Sequence, residues 1–373
     1  MNILVTDNDF IAQSGSQYLT VRFNYNFLLE LINGFDGTVS LMQFTAELDD
    51  AKTNMYCVLC HTRLSIITLS WFGFTPLAKI LSYLFAIPSS ISAISRSSLA
   101  YLFFPGHLSF IMALISILLH HRYALYLRGE KKITDTWLQR MILRNASFIL
   151  TVSPLLVDRI KPFNQRTIQI KPMMDINLND IDVRNTYPMK AYWNFLYVGR
   201  VEERKGIGDL IKMADILKEY HQLSFMLTII GGHDFRQYQS SLSDPQKTYI
   251  TFTGVITDKA SLKHYYLDSD IFIFPTHDEG FPRVLYEAMV YGTPIATTFV
   301  GGIPGFMKEN HNCVRLPVKD PRGQAMAVLN LLKEPDQRRF LAINAQQDVS
   351  EFLHSEIRDH AAEVLYQVKR KLP

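Results

Sequence analysis

The carboxyl-terminal half of this chain alternates short apolar runs with longer amphipathic stretches over residues 195–332. Short apolar runs bounded by glycine or polar residues are typical of buried strands, whereas apolar residues spaced three and four positions apart are typical of helices. Strands that alternate with helices pair in parallel, because each crossover helix returns the chain to the same end of the sheet. The pattern therefore predicts a doubly wound parallel sheet in this half.

One strand–loop–helix unit of this half carries two glutamates. The apolar run 271–275 precedes the loop with Glu279, and Glu287 follows on a helix predicted to begin near Pro282. Loops at the carboxyl ends of parallel strands bind ligands in open α/β sheets. A phosphate suits such a helix start, where the N–H groups lack partners and the dipole is positive. The alternative is a pair of solvated glutamates. The N–H groups expected to be free are those of Arg283, Val284 and Leu285.

A second loop of this half is rich in cations. It follows the apolar run 194–199, contains Arg200 and Lys205, and precedes a predicted helix over residues 207–220. Because Arg binds phosphate through two N–H groups and Lys acts as a point charge, this pair is suited to a diphosphate. The alternative is a solvated loop of mixed charge, since two glutamates lie between the cations. These glutamates are Glu202 and Glu203.

Together the two loops resemble the retaining, nucleotide-sugar-dependent glycosyltransferases with the GT-B fold, the glycosyl transferases group 1. Their pattern is Gly-Arg-hydrophobic, then Lys-Gly, and much later Glu-Gly-Phe, five residues, Glu-Ala-Met and Gly-x-Pro. This chain matches it at residues 199–206 and 279–294, within a resemblance that covers about residues 193–334. Residues 228–232, 250–254 and 300–304 resemble further family strands and glycine turns. Gly305 stands where the family often has an acidic residue, and Pro282 replaces the usual glycine, so the sugar stays open.

The resemblance implies roles for the matching residues. Arg200 and Lys205 would bind the donor diphosphate and stabilise the leaving group. Glu287 would hold the nucleotide ribose, and Glu279 would contact the donor sugar near the reacting centre. Catalysis would depend on positioning and electrostatic stabilisation, with retention and without a protein nucleophile. The other donor-site residues implied are Gly280, Phe281, Arg283, Val284 and Leu285.

The resemblance also implies an α/β fold with two Rossmann-like domains facing a cleft. The expected acceptor-binding domain covers residues 1–180, and the expected nucleotide-sugar domain covers residues 181–355. A last helix within residues 356–373, predicted to start at Ser355, would return to the hinge.

The amino-terminal half offers weaker candidates. A strand is predicted over residues 1–7, then a loop containing Gly15 and a helix over residues 17–32; the last strand is predicted at residues 147–153. In the family such a first loop often lies beside donor and acceptor, so Gly15 is a donor-binding candidate, with a plain turn as the alternative. His107 is a catalytic candidate that would contact acceptor or sugar, or else an ordinary turn histidine. Arg128 would lie on the acceptor side, or else be a surface charge.

One stretch combines apolar runs with a missing charge type. No Asp or Glu lies between Asp50 and Glu130, whereas residues 66–91 and 99–119 are long apolar runs. Neither is expected to span a membrane, because the first carries Lys79 and two prolines and the second is interrupted at residues 105–107, short of the ~20 residues needed. Buried elements of a Rossmann-like domain are one interpretation. The other is a peripheral contact with an anionic membrane surface.

Composition narrows the remaining classes. The length of 373 residues allows two domains, and the net charge of +3 gives no reason to expect nucleic acid as a partner. Cys57 and Cys60 form a lone CxxC pair, which we interpret as buried thiols in a reducing cytoplasm rather than a zinc or redox site. We expect no signal peptide, metal or other cofactor. Asp268 and Asp270 are interpreted as a helix end and a strand entry, not as metal ligands.

These observations predict a cytoplasmic glycosyltransferase, peripheral at the inner face of the membrane. It would move a sugar from a UDP- or GDP-type donor to a hydroxyl of a lipid-linked glycan in surface polysaccharide synthesis. Two alternatives stay open: a nucleotide-sugar epimerase on the same fold, and a non-catalytic nucleotide-sugar-binding subunit. A dehydrogenase is disfavoured, because no G-x-G-x-x-G follows the first strand.

Overall fold

The computed structural model divides the chain into two compact α/β units. The first comprises Met1–Met174 and Ile357–Pro373, and the second comprises Asp175–Glu356. The structure describes residues 2–7, 9–15, 17–47, 56–127, 133–174, 176–182 and 186–370.

The first unit is built on a mainly parallel sheet. Its strands are β1 (Asn2–Thr6), β2 (Ile11–Ser14), β3 (Gln17–Val21), β4 (Thr38–Glu47), β5 (Tyr56–Val58), β6 (Leu64–Leu69), β7 (Leu99–Phe104), β8 (Tyr123–Leu127), β9 (Ile149–Thr151) and β10 (Thr167–Gln169). Its helices up to residue 174 are α1 (Arg22–Asn33), α2 (Pro76–Ser95), α3 (His107–Leu118), α4 (Trp137–Asn145) and α5 (Pro154–Ile160).

Parallel pairing in this unit runs in the order β10–β9–β8–β7–β1–β4, with β6 on the other side of β4. Every residue of β7 and β8 is buried, as expected of parallel strands covered on both faces. The far end of β4 pairs with β2, which continues through antiparallel contacts to β3 and then β5.

Two predictions for this unit are wrong. The helix expected over residues 17–32 begins only at Arg22, because residues 11–14 and 17–21 pair as the β2–β3 hairpin. The strand predicted as the last of the domain, now β9, is followed by β10, which pairs with it in parallel. Both errors concern segments too short for a period of two to be distinguished from one of 3.6.

The second unit has a fully parallel sheet in the order β13–β12–β11–β14–β15–β16. Its strands are β11 (Trp193–Val198), β12 (Phe225–Ile230), β13 (Ile250–Gly254), β14 (Ile271–Phe274), β15 (Ile295–Thr298) and β16 (Val314–Leu316). Its helices are α6 (Ile207–Glu219), α7 (Phe235–Ser241), α8 (Lys259–Asp268), α9 (Arg283–Val290), α10 (Pro321–Lys333) and α11 (Pro335–His354). The alternation of strands and helices predicted for this half is confirmed.

The last described helix, α12 (His360–Lys369), packs on α1 in the first unit. Its first residue, His360, is buried, and its Nε2 lies 2.6 Å from the Tyr101 hydroxyl of β7. The predicted start at Ser355 is too early, because α11 runs to His354 and the chain then passes through an irregular segment.

α2 is the longest described helix of the first unit. Thr75 caps it by accepting a hydrogen bond from the Ala78 N–H at 3.3 Å, and Pro76 occupies its first turn. Pro88 lies inside the helix without ending it. Among the described residues, the segment Pro76–Arg96 is long and apolar enough to cross a membrane. Of its 18-residue apolar stretch, 28% is buried inside the protein.

Candidate functional site

A cluster of predicted site residues in the second unit lies where β11 and β14 end. Lys205, in the loop after β11, is only 5% exposed. Its ammonium group forms an ion pair with the carboxylate of Glu279, in the loop after β14, and donates a hydrogen bond to the Asp278 carbonyl at 3.2 Å. The structure thus brings together two of the predicted catalytic residues, Lys205 and Glu279, which lie 74 positions apart in the sequence.

A glycine allows these two loops to touch. Gly206 has a φ of +75°, and a Cβ there would overlap the carbonyl oxygen of Pro275. Any other residue would therefore meet both backbone strain and a steric clash. The loops are further joined by His277, whose N–H donates to the Arg204 carbonyl at 3.0 Å and whose Nε2 lies 2.7 Å from the Asp209 carboxylate.

A third loop, after β15, holds the backbone of Glu279. Gly301 has a φ of +54°, and a Cβ there would overlap the Glu279 carbonyl oxygen. The Gly302 N–H donates to that same oxygen at 3.2 Å. The glycine pair singled out in the sequence therefore orients the catalytic candidate on the neighbouring strand end.

Glu287 lies one turn into α9 and is held by a buried tyrosine. The Tyr266 hydroxyl, from α8, donates to the Glu287 carboxylate at 2.9 Å. Burial, followed by the negative charge of Glu287, raises the pKa of Tyr266 well above its ordinary value. The phenol therefore stays protonated and remains a donor. Sequence reasoning missed Tyr266, since a tyrosine near a helix end carries no distinguishing pattern.

The start of α9 differs from the prediction in two respects. Pro282 is the residue that caps the helix, and Arg283 is its first helical residue. The Leu285 N–H donates to the Pro282 carbonyl at 3.1 Å, so the prediction of a free N–H is wrong for Leu285. An anion-binding role stays a prediction for Arg283 and Val284.

Arg200 lies apart from the buried pair. Its side chain is 58% exposed, and its Nε is 3.5 Å from the Glu202 carboxylate. The same carboxylate lies 2.8 Å from Nε of Arg204, a cation that the sequence analysis did not consider. Glu202 thus pairs with two guanidinium groups in the exposed part of the loop. This part of the loop agrees with the alternative of a solvated loop of mixed charge.

Phe281 and Gly280 continue the loop after Glu279. The Phe281 ring stacks on Tyr286 at 5.0 Å and lies 5.8 Å from the ring of Phe306. This aromatic stack ties the loop to α9 and to the segment after β15. Gly280 is partly buried between Glu279 and Phe281, and contact of either residue with a donor stays a prediction.

The candidates from the amino-terminal half lie in the first unit. His107 is the first residue of α3 and lines a pocket of about 260 Å³. Gly15 is exposed at the turn of the β2–β3 hairpin, and no atom lies within 4 Å of a Cβ built there. Arg128 lies outside the residues that the structure describes.

The pocket beside His107 contains polar residues that sequence reasoning missed. Asp7 is buried, and the Asn24 amide donates to its carboxylate at 2.7 Å and to that of Asp9 at 2.9 Å. The Gln43 amide also bonds Asp7. Asp7 and Asp9 follow β1, whereas Asn24 lies on α1 and Gln43 on β4, which pairs with β1, so the fold brings together residues from three separate segments.

The metal and thiol predictions can be compared with the structure. No cluster of three or more metal-ligating side chains occurs among the described residues. Cys60 is exposed, so its interpretation as a buried thiol is wrong, whereas Cys313 is buried. Asp268 ends α8, and Asp270 precedes β14, where its carboxylate accepts the Asn194 N–H at 2.9 Å, as the helix-end interpretation predicted.

Comparison with known proteins identifies relatives of the second unit. Residues 184–348 match the family model described as glycosyl transferases group 1. An uncharacterized glycosyltransferase of Methanocaldococcus jannaschii is 32% identical over 158 residues, which are 42% of this chain. The match spans only 40% of that relative's length.

Solved structures resemble the whole chain. Sucrose-phosphate synthase of Thermosynechococcus elongatus superposes with a TM-score of 0.68 at 20% identity, covering 100% of this chain and 98% of its own. HepE of Anabaena, solved in complex with UDP-glucose, has a TM-score of 0.62 at 14% identity, covering 100% and 99%. At such identities the likeness concerns the fold, and it confirms the predicted GT-B class.

Proposed function

We propose that this chain, whose residues 184–348 match the glycosyl transferases group 1, transfers a sugar from a nucleoside-diphosphate donor to an acceptor hydroxyl. The observation that carries the proposal is the buried Lys205–Glu279 ion pair at the carboxyl ends of β11 and β14. Ligands of open parallel sheets bind at this edge. A buried ammonium group there is suited to a diphosphate, because charges interact more strongly away from bulk water.

Each site residue has a chemical task in this proposal. Lys205 neutralises the diphosphate as it departs, while Arg200 exchanges its ion pair with Glu202 for a phosphate oxygen. Glu287, oriented by Tyr266, accepts hydrogen bonds from the ribose hydroxyls. Glu279 contacts the donor sugar and keeps Lys205 in place.

The reaction balances without a protein nucleophile. The bond between the anomeric carbon and the phosphate oxygen breaks, and a bond to the acceptor oxygen forms on the same face of the sugar. Because the new bond forms on the face that the phosphate leaves, the anomeric configuration is retained, and the acceptor proton passes to the departing phosphate oxygen. No metal is required, because Lys205 and Arg200 supply the positive charge.

We propose a UDP-sugar as the first donor to test, because HepE, which shares the fold, was solved with UDP-glucose. The proposed acceptor is a glycan on a lipid carrier at the cytoplasmic face of a membrane, as in surface polysaccharide synthesis. The acid-free apolar stretch between Asp50 and Glu130 supports this choice.

A donor screen tests the proposal. Thermal stability and nucleoside-diphosphate release are measured with UDP-, GDP-, ADP- and TDP-sugars for the wild type, Lys205→Ala and Glu287→Ala. Lys212→Ala, an exposed lysine of α6, is the matched control. One nucleotide class should stabilise the wild type and the control but neither site variant, with release of its nucleoside diphosphate.

The same screen separates the alternatives. An epimerase would convert the donor into an isomeric nucleotide-sugar without releasing nucleoside diphosphate. A binding subunit would be stabilised by a donor and turn nothing over. Absence of both stabilisation and release with every donor would overturn the proposed function.

A further inference from the structure

The helix α2 in the first unit is inverted relative to an ordinary surface helix. A surface helix turns its apolar stripe towards the core and its polar residues towards water. The inner face of α2 instead consists mainly of small residues, whereas most of its large apolar residues point outward. The buried residues are Ser82, Ala86, Ser90, Ala93 and Ile94. The exposed ones are Leu77, Ile80, Leu81, Leu84, Phe85 and Ile91.

The inner face forms a complete contact with the protein. α2 packs against α3 and β6. The buried serines have their hydrogen bonds satisfied: the Ser82 hydroxyl donates to the Ala78 carbonyl at 2.8 Å, and the Ser90 hydroxyl donates to Ala86 at 2.8 Å. Both hydrogen bonds lie within α2 itself, whereas rotating the helix to bury its large side chains would break its contacts with α3 and β6. The exposure of the outward apolar face is therefore a consequence of how α2 packs in the folded unit.

The segment before α2 extends the outer face. Phe74 is 74% exposed, and Phe72 is 51% exposed and packs edge-on against Phe85 at 5.4 Å. Phe85 is itself 67% exposed. A contiguous apolar surface of this kind on a folded domain marks an interaction site. We call this surface, formed by Phe72, Phe74 and the exposed apolar residues of α2, the α2 face.

The charges around the α2 face select its partner. Lys79 in the first turn of α2 and Arg96 at its end are both exposed. The sequence carries no Asp or Glu between Asp50 and Glu130. Large apolar side chains flanked by cations, in a segment whose sequence carries no carboxylate, match the interface of a bilayer containing anionic lipids. A spanning orientation does not fit, because the inner face of α2 is packed on the α/β unit.

We infer that the α2 face is a monotopic membrane-docking surface, with α2 lying in the plane of the bilayer interface and its outer side chains among the acyl chains. The inference rests on the proposed function only for the nature of the acceptor. Tyr83, between the outward residues of α2, faces the other way and lines the polar pocket with His107, whose ring centroid lies 5.5 Å away. Docking through α2 therefore places that pocket directly behind the lipid surface, within reach of the head of a lipid carrier.

The test is co-sedimentation of the full chain with vesicles of phosphatidylcholine, with and without phosphatidylglycerol. The double variant Leu84→Glu/Phe85→Glu places two charges on the α2 face without touching buried residues. Phe340→Glu, which alters a residue of α11 that is 53% exposed, is the matched control in the second unit. We expect the double variant to lose at least tenfold in partitioning and the control to bind as the wild type does. Lys79→Ala should weaken binding only to the anionic vesicles.

Three outcomes would overturn the inference. Wild-type protein could remain in the supernatant with anionic vesicles at low salt, or the double variant could bind as the wild type does. The wild type could also be a dimer that the double variant converts to a monomer, without vesicle binding, which would assign the α2 face to a second copy. Donor turnover in detergent-free buffer is measured on the same variants. Absence of donor turnover in the wild type would count against the proposed function, and not against membrane docking.

Discussion

Removing the ammonium group of Lys205 should destabilise the protein before any ligand is considered. The Lys205 side chain is 7% exposed and that of Glu279 15%. Lys205→Met would leave a largely buried carboxylate without its counter-charge and deprive the Asp278 carbonyl of a donor. Breaking a buried ion pair from one side costs roughly 3–5 kcal/mol. The residual exposure of Glu279 puts the expected loss at the lower end, about 3 kcal/mol.

Calorimetry of the full chain measures this loss as a change in the unfolding transition of the second unit. For a unit of this size a loss of 1 kcal/mol lowers Tm by roughly 2–4 °C, so the expected drop is about 6–12 °C. The double variant Lys205→Met/Glu279→Gln removes both charges and should recover a coupling of about 2 kcal/mol. Lys212→Met, at an exposed position of α6, controls for the loss of a lysine.

Two results would refute this reasoning. One is a Tm for Lys205→Met no lower than that of Lys212→Met, which would mean that the Lys205–Glu279 pair contributes nothing to the folded state. The other is a double variant that loses the sum of the two single losses, since that would exclude coupling. Donor turnover should be absent from the double variant even where its stability recovers, because the diphosphate has lost its cation.

Three further predictions follow from the same geometry. Gly206→Ala should lower stability by at least about 2 kcal/mol and abolish turnover, because a left-handed φ and a clash coincide there; unchanged melting would contradict this. Tyr266→Phe should raise the donor KM about fivefold, the value of one hydrogen bond, with kcat little changed, since it frees the Glu287 carboxylate; an equal loss in kcat alone would exclude a ribose-positioning role. Burial raises the pKa of Cys313 to about 12, so at pH 8 its thiol stays protonated and a disulfide reagent should modify exposed Cys60 readily but Cys313 only on unfolding; equal rates would refute the burial.

The donor-side loops illustrate how far sequence reasoning reached. The positions of Arg200, Lys205, Glu279 and Glu287 on βα loops and on α9 follow from local periodicity, and the structure places them there. The partners of these residues were not predictable. Tyr266 reaches Glu287 from a helix that precedes β14, a contact that depends on how α8 packs and not on any motif.

The errors have a common physical origin. The sequence pattern predicts a loop and the start of a helix where the β2–β3 hairpin lies, and it predicts a buried thiol at Cys60, which is exposed. Each depends on what a segment packs against, and local propensity is only a weak guide to that. The pocket around Asp7, Asn24 and Gln43 was missed for the same reason, because β-sheet pairing brings distant residues together.

Local sequence patterns are sufficient to predict the parallel α/β sheet of the second unit and the resemblance of its loops to the glycosyl transferases group 1. Both predictions depend on residues that are close together in the chain, because the spacing of apolar residues indicates helix or strand and glycines with neighbouring charges indicate the loops. Which face of α2 is buried depends instead on tertiary packing. The sequence of a helix that is apolar on most sides does not indicate which side faces the core. In α2 the small residues Ser82, Ala86 and Ser90 form the inner face, because they allow close packing on α3 and β6. That choice leaves the large side chains of α2 outside.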